Sequence, residues 1–180
     1  MLDVIEAFPV YRLHILETQT YNRYQFLADA LKSPLAKDSE IAVVLKSYIQ
    51  YFEADARTVL NVKMSSTDDE GVLVTPNGCK EKVQVATQVS NPMPIYGRRY
   101  IISGDVWDQM SEMDRAALIL HESLLRYFMG SPDWNKSMIP IRFLTALLLS
   151  NEGQRADAPA MFGSLDMMIR DLALTPAKEN

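Results

Sequence analysis

The sequence predicts an α+β fold: an N-terminal helical hairpin, a small antiparallel sheet of about three strands, then C-terminal helices around a central buried helix. Three observations carry this. Apolar residues recur at three- and four-residue spacing up to residue 59. The period falls to two between residues 72 and 103. Helical spacing returns from residue 111 onward, and segregated helices and strands define the α+β class. With 48% hydrophobic residues in a chain of 180, there is enough apolar material for a core.

The first helix is read from the stripe Leu13, Leu16, Thr20, Tyr24, Leu27 and Leu31, with His14 beside it. Pro9 separates a short leading turn from this helix, and Ser33-Pro34 ends it, because the residue before proline avoids the helical region. A second helix starts near Asp38-Ser39, either of which can cap it, and carries Ile41, Leu45, Tyr48, Phe52, Ala56 and Val59. The aromatic group Tyr48, Tyr51 and Phe52 on it is read as core. A polar loop follows over 65–71. Val72-Leu73-Val74-Thr75 and the run 83–89 then form a hairpin around the turn Pro76-Asn77-Gly78-Cys79. In the second run Val83, Val85, Thr87 and Val89 face one way, and Gln84, Ala86 and Gln88 the other. Residues 99–103 make the third strand.

Ser111 caps the next helix, with Asp114 in the position of an acidic capping box, and Gly130 and Pro132 close it. A further helix runs from about Ser137 to Asn151, with Pro140 tolerated in its first turn. The last covers roughly Ala158 to Leu174 through Phe162, Leu165, Ile169 and Leu172. Residues 1–174 are expected to form one domain and 175–180 a loose tail.

Composition removes several function classes. The net charge is -5 and there is no basic run, which argues against nucleic acid and against a basic membrane-surface helix. No apolar stretch approaches the roughly 18–20 residues of a membrane span, and the first residues show no secretory signal pattern. The single cysteine, Cys79, leaves neither an internal disulfide nor a multi-cysteine zinc site. As a free thiol it has only Lys80 and Lys82 to activate it for chemistry with His121, so a half-buried hairpin position is the simpler reading. Seven glycines supply no phosphate loop, and no Gly-x-Ser-x-Gly is present.

The one chemically loaded step is His121-Glu122, in the most apolar helix. It is the first half of the zinc-protease pattern His-Glu-x-x-His, but Leu125 stands where the second histidine belongs. His121 shares a face with Ala117, Leu118, Leu124, Leu125 and Phe128, and Glu122 points roughly 100° away. One reading makes His121 a hydrogen-bonded core histidine and Glu122 a structural partner of Arg126 at i, i+4, with no cofactor. Arg142, near the following helix start with Ser137, joins them in a buried polar cluster, structural or binding. The other reading is a metal-dependent, peptidase-like hydrolase. In it His121 ligates zinc, Glu122 acts as general base, and His14 plus a carboxylate complete the ligand set.

An ordered set of motifs resembles a group of uncharacterised exported proteins of Bdellovibrio-type predatory bacteria. It comprises Leu2-Asp3-Val4-Ile5-Glu6-Ala7, Gly78-Cys79 with Gln84-Val85-Ala86, Arg99-Tyr100-Ile101-Ile102, Trp107-Asp108, and Arg115 through Glu122 with Arg126; Ser137, Arg142 and Ser150 fit the same pattern. The resemblance spans roughly residues 2–150. It implies a signal peptide and a further cysteine ahead of this sequence, able to pair with Cys79, and a periplasmic or secreted location. The group usually carries tyrosine where this chain has Leu125. The resemblance brings no activity. The reading of residues and resemblance together is an exported cell-envelope protein on a degenerate zinc-protease-like scaffold, with a protein or cell-envelope ligand as partner.

Overall fold

The computed structural model describes residue 7 and residues 9–16, 21–61, 64, 84–89, 98–130 and 137–174. The predicted strand 72–75, the turn with Cys79 and the tail 175–180 lie outside the described residues. Among the described residues there are seven helices of four residues or more beyond residue 20, and three strands. The architecture is α+β.

Helix α1 (Arg23–Lys32) starts ten residues later than its stripe predicts. Asn22 sets the start: its side chain accepts from the Tyr24 and Gln25 amides, and the Gln25 side chain accepts from the Asn22 amide, closing a capping box. Upstream, Arg12 takes a left-handed φ of 59°. The chain then runs extended against the end of a later helix, with Leu16 N–H donating to Leu149 and Asn151 N–H to the His14 carbonyl. His14 therefore sits on this extended segment and not on a helix.

Helix α2 (Glu40–Tyr51) is capped by Ser39 and stops before the end of its predicted stripe. Ala56–Val59 is instead strand β1, in keeping with the β-branched Thr58 and Val59. Tyr51 is exposed, whereas Phe52 is fully buried. Strand β2 (Ala86–Gln88) and strand β3 (Tyr100–Ser103) pair antiparallel, as expected, with Gln88 opposite Tyr100. Strand β1 pairs with β3 in parallel, so the sheet is mixed, in the order β1-β3-β2. The two-residue periodicity identifies strands but carries no information on direction.

A short helix α3 (Gly104–Trp107) leads into α4 (Glu112–Met129), the helix bearing His121 and Glu122. The Ser111 hydroxyl accepts from the Asp114 amide and donates to the Asp114 carboxylate. Gly130 closes α4 with φ −81°, in the ordinary helical region and not the left-handed one. Every residue from Ala116 to Leu124 is buried, because α4 packs against α1, α2, the sheet and helix α5 (Ile139–Leu148). Pro140 sits in the first turn of α5. The predicted last helix is two, α6 (Ala158–Phe162) and α7 (Leu165–Leu174). Gly163 divides them at φ +85°, a conformation only glycine adopts without strain.

Candidate functional site

Placing Glu122 requires α4 to cross the face of the sheet that carries Ala86 and Gln88. Alternation puts these two on one face, Ala86 is buried, and the Gln88 side chain reaches α4. Its Nε2 donates to the Glu122 backbone carbonyl at 2.6 Å and to the Glu122 carboxylate at 2.8 Å. Glu122 is 6% exposed and His121 8%. Both have further partners.

One turn along, Arg126 does not pair with Glu122 as its spacing predicts. Its Nη1 donates to Asp55, in the turn between α2 and β1, at 3.2 Å. Its guanidinium carbon stands 4.0 Å from the centre of the Tyr48 ring, a cation–π contact. Burial works against the Arg126 charge, yet Tyr100 and Asp55 outweigh it and hold the pKa above its ordinary value. Tyr100 is completely buried, with its ring centre 4.4 Å from that of Phe52. Burial pushes the Tyr100 hydroxyl up, against the opposing pull of the nearby Arg126 charge. The hydroxyl nevertheless makes no hydrogen bond of good geometry, and neither does Gln88 Oε1.

The other predicted residues fall elsewhere or on the margin. Arg142 is buried at 2% exposure on α5, and it is partnered. Ser137 lies just ahead of α5, half-buried. His14 is held by Glu152: Nδ1 lies 2.6 Å from Oε1, and the His14 amide donates to Oε2 at 2.8 Å. A zinc site that needs His14 beside His121 has to break this clamp. Among the described residues there is no group of three or more His, Cys, Asp or Glu side chains able to hold a metal ion. Cys79 is outside the described residues.

The His14–Glu152 clamp has a pH signature. Burial pushes the Glu152 carboxyl up, but the two hydrogen bonds from His14 outweigh it and hold its pKa below the ordinary carboxylate value. A depressed folded pKa stabilises the fold fully above the unfolded value and loses that stabilisation as pH falls through the folded one. Urea unfolding of Glu152→Gln should therefore show a lower midpoint than wild type at pH 6. The gap should close as pH drops below the ordinary carboxylate range.

Sequence reading missed Gln88, Asp55, Tyr48 and Tyr100 as members of this cluster. The available signal was the polar face of the 83–89 run: a glutamine aligned with buried Ala86 needs a partner under the sheet. Comparison with known proteins finds no family model, curated protein or solved structure that matches this chain. Among the described residues no helix is long and apolar enough to cross a membrane. The fold and site thus define a class no narrower than an α+β protein with a buried His-Glu step.

Proposed function

We propose that this is an exported cell-envelope protein, periplasmic or secreted, that acts by binding and not by catalysis. Its core is a zinc-protease-like His-Glu helix without the second ligand. The observation that carries the reading is the engagement of Glu122. A general base must present a free carboxylate oxygen to a water within hydrogen-bond reach. Here the carboxylate is buried, and Gln88 binds both it and the backbone carbonyl of the same residue. Glu122 is then used to lock the sheet onto α4. Export and an envelope setting rest on the resemblance of residues 2–150 to the exported Bdellovibrio-type group.

The test is a hydrolysis assay on the full chain, with and without added zinc, using casein and peptidoglycan. The expected result is no turnover above the Glu122→Ala variant. Turnover that needs both His121 and Glu122 contradicts the proposal and makes a metal-dependent hydrolase the working reading.

A further inference from the structure

The face of the sheet away from α4 gathers positive charge that the linear sequence scatters. Ala86 and Gln88 point toward α4, so Thr87 and its cross-strand partner Ile101 point the other way. Arg57 of β1 is the register partner of Ile101 on its other side. The ladder runs one residue beyond β3, where the Val89 amide donates to the Arg99 carbonyl, so Arg99 shares the face of Ile101. Arg57 and Arg99 thus stand one strand and two residues apart beside Ile101, roughly 8 Å between Cα atoms by ordinary strand spacing. A third arginine, Arg98, lies along the outer edge of β1, where its guanidinium donates to the Ala54 and Ala56 carbonyls.

The nearest carboxylates do not balance this charge. Glu53, ahead of β1, is bound to Arg23, and Asp55 is bound to Arg126. Among the described residues none of Arg57, Arg98 and Arg99 forms an ion pair, and Arg57 and Arg98 are exposed. The chain as a whole carries a net charge of -5, so this is a positive patch on an acidic molecule. A guanidinium fork matches the two oxygens of a carboxylate or phosphate. Two observations favour carboxylates on a polypeptide. Half-buried Ile101 and Thr87 lie beside the arginines, and they suit a ligand that brings side chains as well as charge. A short segment also feels mainly the charges within a Debye length of about 8 Å, whereas an extended anionic surface meets the negative charge of the whole molecule. Arg98 already covers the Ala54 and Ala56 carbonyls, so such a segment lies across the face and does not extend the sheet at β1.

We propose that the sheet face opposite α4 is a docking surface for an acidic segment of a partner polypeptide, held by Arg57, Arg98 and Arg99. Carboxylates of the segment pair with the guanidinium groups, and an apolar side chain between them covers Ile101. The surface lies across the sheet from Glu122 and does not depend on what the His-Glu step does. No covalent step is involved.

The test is fluorescence anisotropy of a labelled peptide of alternating glutamate and valine, titrated with the full chain. Binding should saturate and weaken as salt rises. Arg57→Gln and Arg99→Gln should each weaken it about two- to fivefold, the range for exposed ion pairs, and the double variant about tenfold. Arg155→Gln removes the same charge from the turn ahead of α6, where Arg155 pairs with Asp157, and should leave binding unchanged. The sheet substitutions change exposed or half-buried side chains, so their urea midpoints should stay near wild type. No binding to the wild type, or equal binding to the wild type and the double variant, overturns the proposal. Displacement of the peptide by inorganic phosphate at equal concentration also overturns it and marks a general anion surface. Tighter arginine-dependent binding to phosphatidylglycerol vesicles than to the peptide overturns it in favour of a membrane surface. Binding that appears only after Asp68→Asn, Asp69→Asn and Glu70→Gln are combined assigns the surface to the chain's own acidic run, which overturns it as well.

Discussion

Replacing Phe52 with alanine is expected to lower the free energy of unfolding by about 3–5 kcal/mol, the usual cost of deleting a buried aromatic ring. Phe52 is fully buried, it closes the C-terminal end of α2, and its ring lies 4.4 Å from that of Tyr100 at a tilt of 35°. The cavity would open at the junction of α2, the sheet and α4, where little can collapse to fill it. Because Tyr100 follows directly from this packing, the substitution should also loosen the Tyr100 side of the polar cluster. Equilibrium urea unfolding measures the loss as a reduced midpoint at unchanged slope. A loss below about 1 kcal/mol, within the range of ordinary surface changes, would mean that Phe52 is not packed as described.

The second large effect is a single methyl group. Gly153 lies in the turn after α5, where its amide donates to the Ser150 hydroxyl, which in turn donates to the Leu147 carbonyl. A Cβ at Gly153 would overlap the Leu147 carbonyl oxygen and come 3.0 Å from the carbonyl carbon. Both are backbone atoms at the end of a buried helix, so relief requires moving the turn. Gly153→Ala should cost about 3 kcal/mol, the upper end of overpacking penalties. Gly130→Ala is the internal control. Gly130 has an ordinary helical φ of −81°, and the nearest atom to its added Cβ is 3.3 Å away. That variant should unfold within about 0.5 kcal/mol of wild type. Thermal melts of the pair give the comparison directly, and similar midpoints for the two variants would contradict this account of the turn.

These two sites also show what could be read from the chain. Helix α4 was legible because its signals agree: Ser111 as cap, an apolar run and a terminal Gly130. The ends of the neighbouring helices were not, because apolar spacing continued past the residues that stop them. Leu13 and Leu16 fit the α1 stripe yet belong to a segment paired with residues 149–151. Ala56 and Val59 fit the α2 stripe yet form β1, a tertiary override that local spacing cannot register. Gly163 was a visible helix breaker inside an otherwise continuous stripe, and its left-handed φ explains the split into α6 and α7.

At the candidate site, burial of His121, Glu122 and Arg142 followed from their place among apolar residues. The Gln88 contact of Glu122 and the Asp55 contact of Arg126 did not. The i, i+4 spacing of Glu122 and Arg126 predicts a local pair, but Asp55 and Gln88 come from other elements and compete successfully for each side chain. His14, the second imidazole the metal reading required, is held by Glu152, 138 residues away in sequence. Local spacing registers none of these contacts.

The central claim is that the His-Glu step is a buried binding and structural element and not a metal centre. Its most direct test is the metal content of protein purified without chelators, measured by elemental mass spectrometry alongside His121→Ala. The account predicts zinc and other transition metals far below one per chain, with no difference between the two proteins. Near-stoichiometric metal in the wild type, lost in His121→Ala, would contradict it.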